Sequence, residues 1–241
     1  RRQRQMCIRD RLNLMREFPD YLFCQSQMKL YEDLKRLYPG IYAEIKKRVR
    51  QGRWEVVGGM YVEPDCNLIS GESMIRQILQ GKKFMREEFG ADSAVCWLPD
   101  VFGNSWIMPQ ILLGCGIRFF ITNKLVIWND TNEFPHNTFW WEGPDGSRVL
   151  AYMPATHFGA SVNADVMLTN WGEYKQKVEC GEAMYNFGYG DGRGGPTRDD
   201  ALAGRRFRRM PGMPRAEFTH AQTHFERAEA AITKPLPVWK D

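Results

Sequence analysis

The 241-residue chain has an ordinary globular composition, with 43% hydrophobic and 26% charged residues. No apolar run reaches the roughly 18 residues that a membrane-spanning helix needs, so we expect no membrane partner. The net charge of +4 lies entirely in residues 1–11, which hold five Arg and one Asp. Because the remainder is neutral, it offers no electrostatic footprint for nucleic acid.

The basic segment RRQRQMCIRDR resembles a translated sequencing-adapter read. We therefore interpret residues 1–11 as an artefact that is not part of the fold, and residues 12–241 as one domain. The five remaining cysteines are widely spaced and form no CxxC pair, which argues against a disulfide framework. This spacing indicates a reducing compartment, so we expect a cytoplasmic location.

From Leu12 onward, short apolar runs alternate with amphipathic segments. In the first half we predict strands at 21–26, 54–57, 95–97 and 119–122, and helices at 30–38, 42–50, 71–89 and 107–114. Ser70 is the predicted N-cap of the third helix, and Gly90 its end.

In the second half, 139–141 and 149–153 flank the sequence GPDG and predict a hairpin. We further predict helices at 171–178, 199–209 and 220–232, strands at 184–187 and 216–218, and no element after 235. The repeated strand–helix units indicate an α/β fold with a mostly parallel sheet, and about seven strands suffice for a β/α-barrel-like sheet. In such folds the chemistry lies on loops after the carboxyl ends of strands.

Three segments place carboxylates at such strand ends. Asp100 follows a strand in WLPDVFGNS, Asp191 lies among glycines in GYGDGRGGPT, and Glu63 and Asp65 follow a strand in GGMYVEPDCN. Each has a structural alternative: a turn Asp for Asp100, a flexible surface loop for Asp191, and a loop-ordering role for Glu63 and Asp65.

The histidines give a weaker signal. His220 and His224 lie four apart on a predicted helix, but HExxH is absent and no third ligand follows. We interpret this pair as a solvated helix face. His136 and His157 are single histidines near strand ends, and a structural role is the simpler interpretation of both.

Taken together, the segments resemble glycoside hydrolase family 38, the α-mannosidases. The matching blocks are RWEVVGGMYVEPDCN, SGES, the segment around Asp100, WNDTNEFPH and the Gly-Asp-Gly loop at Asp191. The likeness covers about residues 12–239, and the last two blocks resemble the branch of bacterial, fungal and cytosolic animal enzymes.

The resemblance implies a retaining hydrolysis of terminal α-linked mannose from oligosaccharides, assisted by Zn²⁺. Asp100 is then the nucleophile and a zinc ligand, and Asp191 the candidate acid/base. Lys124 stands where family members carry a basic residue, which would stabilise the negative charge of Asp100. Glu63 and Asp65 are candidates to contact sugar hydroxyls.

One departure from the family pattern concerns the metal. The His-x-Asp zinc motif of the first strand and a further zinc His are not found in this chain. We therefore expect an incomplete barrel-like domain that is inactive by itself. The alternatives are a non-catalytic carbohydrate-binding module, and another barrel-fold carbohydrate hydrolase or deacetylase, which would need a His/Asp metal triad.

Overall fold

The computed structural model describes residues 2–127, 131, 133–159, 161–189 and 194–240. Its helices are α1 (Arg2–Glu17), α2 (Met28–Leu37), α3 (Pro39–Arg50), α4 (Gly71–Phe89), α5 (Met108–Gly114), α6 (Lys124–Ile127), α7 (Ala164–Glu173), α8 (Arg198–Phe207) and α9 (Ala221–Ala230). Its strands are β1 (Phe23–Gln25), β2 (Trp54–Val56), β3 (Val95–Trp97), β4 (Phe119–Ile121), β5 (Thr138–Glu142), β6 (Arg148–Tyr152) and β7 (Val238–Trp239).

The strands form two sheets. Strands β1 and β2 pair in parallel, and the larger sheet has the order β3-β4-β6-β5-β7. All its ladders are parallel except the β5–β6 hairpin. The predicted α/β class and mostly parallel sheet are confirmed. The ladders of the described strands stop at β2 and resume at β3, so the seven strands lie in two sheets.

Helices cover both faces of the five-stranded sheet. Apolar residues of α4 and α5, such as Ile78 and Leu112, pack with Cys96, Phe120 and Ala151 on one face. Phe225 of α9 packs on the other face, where its ring stacks on Phe119 with centroids 5.0 Å apart. Alternate residues of each strand thus point to opposite helix layers, as a doubly covered parallel sheet requires.

Helix α4 begins and ends where local sequence predicts. The Ser70 side chain accepts a hydrogen bond from the Ser73 amide at 3.2 Å, and Gly90 ends the helix in a left-handed conformation with φ 62°. In the β5–β6 hairpin, Gly146 likewise has φ 84°, and the Asp145 carboxylate accepts from the Ser147 amide. These signals are local, which is why sequence alone identifies them.

Three predicted elements of the second half were wrong, and so was the expectation of no element after 235. The predicted helix 171–178 begins earlier, as α7, because the Asn163 side chain caps it by accepting from the Val166 amide at 3.0 Å. The predicted strand 184–187 forms no ladder: the Met184 backbone is instead hydrogen-bonded through both N–H and C=O to the buried hydroxyl of Tyr152. Residues 216–218 also form no strand, whereas Val238–Trp239 pairs with β5.

Helix α1 includes most of the segment that we expected to lie outside the fold. Ile8 is 9% exposed and packs in one cluster with Leu12 and Met15, which follow it at helical spacing; Arg11 is 3% exposed. Ile8 and Arg11 are therefore buried against the domain in the structure. The adapter origin of residues 1–11 stays a prediction.

Among the described residues, no helix combines the length and the apolarity that crossing a bilayer requires.

Helix α4 lies so close to the loop after β2 that Gly81 touches backbone. A Cβ at Gly81 would overlap the carbonyl of Gly59 and the backbone of Met60. We expect Gly81→Ala to lower the free energy of unfolding by about 1–3 kcal/mol, because the loop must move away from the helix. Urea denaturation measures this change.

Gly40→Ala is the matched control, since Gly40 lies in helix α3 and a Cβ added there would meet no neighbouring atom within 4 Å. This control should be neutral or stabilise by up to ~1 kcal/mol through helix propensity. Equal effects of the two substitutions would contradict the close contact at Gly81.

Candidate active site

Three strand ends meet at Gly58. This residue follows β2 with φ 96°, and a Cβ on it would lie 3.1 Å from the Ser26 Cβ and 3.4 Å from the Trp97 Cβ. Glycine is required both for the positive φ and for the close approach. The polar loops that follow β1, β2 and β3 are consequently brought together although no ladder joins β2 to β3 among the described strands.

Asp100 forms an ion pair with a cation that follows β4, the next strand of the sheet. Its Oδ1 lies 2.6 Å from Nζ of Lys124, the first residue of α6, which directly follows the loop after β4. The Lys124 side chain is 11% exposed, whereas that of Asp100 is 53% exposed. The cation is therefore held in the protein while the carboxylate remains open to a ligand.

Aromatic rings also lie next to this ion pair. The Lys124 ammonium lies 4.3 Å from the centroid of the Phe102 ring and 5.8 Å from that of Phe158. These distances fit cation–π contacts. Phe102 is 75% exposed, so it presents an apolar ring to solvent beside Asp100.

Glu63 lies in the same group of loops. Its Oε1 accepts a hydrogen bond from the Ser26 hydroxyl at 2.8 Å. Burial raises the pKa of the Glu63 carboxyl; hydrogen bonds from Ser26 and Gln27 oppose that rise, and the charge of Asp100 adds to it. Gln27 has φ 67°, the one positive φ of a non-glycine residue in the described part of the chain, so the backbone is strained next to Glu63.

Asp65 is placed differently. Its side chain is exposed and its Oδ1 accepts from the Asn67 amide at 3.0 Å, which is the loop-ordering contact. Asn67 in turn packs on the loop after Asp100, since a Cβ at Gly103 would overlap its side-chain amide. Asp65 thus supports the loop that borders Asp100, and its contact with a sugar stays a prediction.

Two cavities flank Asp100. Pro99 lines one of about 870 Å³, and Val101 lines another of about 440 Å³. Phe102 and Lys124 are on the wall of the smaller cavity, and Phe158 is on the wall of the larger. Both volumes fall in the range of small-molecule binding sites.

Asp191 lies outside the described residues. The ends of its loop contact each other, because a Cβ on Gly188 would lie 2.8 Å from the Pro196 ring. The acid/base role of Asp191 stays a prediction.

The interpretation of His224 as part of a solvated face was wrong. His224 is 4% exposed, and its ring lies 5.4 Å from that of Tyr152. Burial, and secondarily the charge of Arg227, lowers its pKa to about 4. Sequence could not show this, because the apolar partner comes from β6, some 70 positions away in the chain. His157 has a structural contact, in which its Nδ1 accepts from the Gly159 amide.

The described residues do not assemble a metal-binding cluster. Nowhere among them do three His, Cys, Asp or Glu side chains converge in a way that could hold a metal ion. At Asp100 the near partner is an ammonium group, which cannot be a ligand. The donor set of the described residues therefore does not fit a catalytic zinc site, which needs about three protein ligands.

Comparison with known proteins decides the family. The sequence profile of the "Glycosyl hydrolases family 38 N-terminal domain" matches residues 1–241. The chain belongs to glycosyl hydrolase family 38. It is 41% identical over 220 residues to human alpha-mannosidase 2C1, a match of 91% of this chain and 21% of that protein. It is 40% identical over 200 residues to a Saccharomyces cerevisiae alpha-mannosidase, a match of 82% of this chain and 18% of that protein.

The fold agrees with this family. A crystal structure of an alpha-mannosidase from Enterococcus faecalis superposes with a TM-score of 0.80 at 19% identity, and the match covers 97% of this chain and 27% of that one. The resemblance read from the sequence blocks is confirmed. This family 38 chain spans about a fifth of the length of the curated relatives it matches.

The carboxyl of Glu63 gives a testable pH dependence. Because its pKa is raised in the fold, the folded state holds a proton that the unfolded chain loses near the ordinary value of 4.5. The stability from the protonated form is complete below that value and is lost as the pH rises through the folded pKa. We therefore expect Glu63→Gln, which keeps the acceptor for Ser26, to have a higher free energy of unfolding than the parent chain at neutral pH.

The difference should vanish below about pH 4, where neither the Glu63 carboxyl nor the Gln side chain that replaces it carries a charge. Urea denaturation at several pH values measures it. Glu87→Gln is the control, since Glu87 is exposed on α4 and should change stability little at any pH. A Glu63→Gln difference independent of pH would show that the carboxyl is not the source.

Proposed function

We propose that this chain carries the nucleophile of a retaining α-mannosidase that removes terminal α-linked mannose from oligosaccharides. The observation that supports it most directly is the Asp100 carboxylate, which is half exposed and forms an ion pair with Lys124. This pair lies at the strand ends of a family 38 chain. The human and yeast relatives are alpha-mannosidases by name.

In the proposed reaction, the Asp100 carboxylate attacks the anomeric carbon while the bond from that carbon to the leaving oxygen breaks, which gives a glycosyl-aspartate ester. A second carboxylic acid protonates the leaving oxygen and then deprotonates the water that hydrolyses the ester. For retention the two carboxyls must be about 5–5.5 Å apart. Asp191 is our candidate for this acid/base.

Lys124 and Glu63 have supporting roles in this proposal. The ammonium of Lys124 fixes the Asp100 carboxylate on one side, so that its free oxygen is aimed outward. The Glu63 carboxyl accepts a hydrogen bond from Ser26 and can form another with a sugar hydroxyl. The exposed ring of Phe102 offers a flat face to the apolar side of a sugar ring.

Zinc assistance is a proposal that rests on the sequence resemblance, since the described donor set does not fit the ion. For the same reason we propose that the 241-residue chain alone has no detectable activity. A cytoplasmic location is proposed only from the spacing of the cysteines.

A non-catalytic carbohydrate-binding module is the second candidate. The two cavities beside Asp100 favour binding. Retaining hydrolysis needs two carboxyls, whereas among the described residues Asp100 is the one candidate catalytic carboxylate that is open to a ligand. The discriminating property is turnover: a module binds α-mannosides without hydrolysing them.

We expect Asp100→Asn to lower kcat/KM for 4-nitrophenyl α-mannoside at least about a thousandfold, as loss of a covalent nucleophile does. The assay uses this chain extended at both ends with the flanking segments of human alpha-mannosidase 2C1, with and without added zinc. Asp199→Asn is the matched control, since Asp199 is exposed on α8 and should leave the rate unchanged.

Activity that survives Asp100→Asn would contradict the assignment of the nucleophile. An extended protein that is folded and binds mannosides without turnover would instead support the binding module. Activity of the unextended chain would contradict the proposed lack of activity.

A further inference from the structure

Two segments that the sequence predicts as strands, 184–187 and 216–218, lie outside both sheets. Most of their backbone is unpaired: among the described residues, no hydrogen bond joins the N–H or C=O groups of 185–187 or of 217–219. Backbone groups of folded chains are nearly always paired with protein or water. These two segments therefore have hydrogen-bonding capacity that the described part of the chain does not use.

Strand β1 has an open edge as well. In its parallel ladder with β2, the Phe23 amide donates to the Arg53 carbonyl and the Gln25 carbonyl accepts from the Val57 amide. In such a ladder alternate residues direct their backbone groups to opposite edges, so the amide and carbonyl of Cys24 face away from β2. No hydrogen bond joins either group to another described residue.

The open edge and the two irregular segments border one cavity, the one of about 870 Å³. Its wall includes residues 21–24, 181–187 and 214–221. At one end the three segments meet, since the Phe218 ring lies 5.7 Å from that of Tyr21 and 5.8 Å from that of Phe187. Among the described residues, no backbone hydrogen bond joins any of these segments to another, so the cavity is a gap between them.

The unpaired backbone indicates what kind of molecule fits the gap. Cys24, Phe187 and Phe218 are each partly exposed, so these segments are accessible from the cavity. An added β-strand carries one donor and one acceptor per residue at the spacing of β1, and it can pair with several of these groups at once. A small ligand can pair with only a few of them. Addition of a strand to an open sheet edge is a common mode of peptide binding.

The side chains on the wall indicate the composition of that strand. Trp97, Phe158 and Trp171 make much of the wall apolar. The charged side chains on it are two arginines and two glutamates, which balance, and Arg227 is paired with Glu217. Burial lowers the pKa values of the two histidines on the wall, so both imidazoles are neutral near pH 7. An uncharged and mostly apolar strand suits these surroundings.

We propose that this cavity is an acceptor site for one additional β-strand, an uncharged apolar polypeptide segment of about five residues that pairs with the Cys24 edge of β1. Residues 185–187 and 217–219 border the same segment and supply further hydrogen bonds. The added strand would convert the two-stranded β1–β2 sheet, a kind that is marginally stable by itself, into a three-stranded one. This strand site is independent of the proposed hydrolysis at Asp100.

The test uses the 241-residue chain and the blocked heptapeptide Ac-KVFVFVK-NH2. Its five central residues favour a strand, and the terminal lysines lie outside them and keep the peptide soluble. The control peptide Ac-KVFPFVK-NH2 has a central proline, which cannot donate to a ladder. We expect titration calorimetry to show one heptapeptide bound per chain, with an affinity at least about tenfold higher than that of the proline peptide.

A proline in β1 tests the edge itself. Cys24→Pro removes the amide that faces the cavity and keeps the bonds to β2, so we expect it to change Tm little, because strands tolerate proline where the N–H is not in a ladder. It should weaken heptapeptide binding about tenfold. Gln25→Pro is the matched control: Gln25 belongs to the ladder with β2, so this variant should have a much lower Tm.

Amide hydrogen exchange gives a second measurement that needs no substitution. In the free chain the amides of Cys24 and of 217–219 should exchange rapidly, and bound heptapeptide should slow them at least about tenfold. The Phe120 amide is the internal reference, since β4 has a partner strand on both sides and should exchange slowly with or without peptide.

The proposal is overturned if the two peptides bind equally well, or if bound heptapeptide leaves exchange at Cys24 unchanged. Sedimentation equilibrium of the chain alone separates the remaining occupant. A concentration-dependent dimer in which the Cys24 amide is protected would show that a second copy of the chain fills the gap, and it would also overturn the proposal. A monomer that binds the heptapeptide with protection of Cys24 supports it.

Discussion

The close approach of three strand ends at Gly58 is the constraint on which the candidate site depends. Strands β1 and β2 form one sheet and β3 belongs to another, so no ladder among the described strands holds the loop after β3 in register with the loops after β1 and β2. Instead, the backbone of Gly58 lies close to the side chains of Ser26 and Trp97, and this close approach sets the spacing of the loops. A single Cβ at this position would separate the loop that carries Glu63 from the one that carries Asp100.

The carboxyls of Asp100 and Glu63 have different electrostatic surroundings. Asp100 faces a nearly buried ammonium, which offsets its charge at close range, and it remains half exposed. Among the described residues, Glu63 has a hydroxyl and an amide as hydrogen-bond partners, and burial disfavours its charged form. Two carboxyls in different environments are a common arrangement in enzymes that move a proton beside a nucleophile. Here the difference arises because Lys124 follows β4, next to β3, while Ser26 and Gln27 follow β1.

The match to family 38 concerns a segment of about a fifth of its relatives' length. The ion pair and its aromatic surroundings are formed by residues within the segment. A cluster of metal ligands is not formed by the described residues.

The sequence by itself determined the elements whose signals are local, and the family. Ser70 and Gly90 mark the ends of α4, the GPDG turn marks the hairpin, and ordered blocks around Asp100 mark the family, because caps, turns and motifs are written in adjacent residues. The tertiary structure decided what depends on partners far away in the chain. The Tyr152 hydroxyl is hydrogen-bonded to the Met184 backbone, β6 packs against His224, and the Lys124 ammonium meets Asp100, because each contact joins segments brought together only by the packing of the sheet.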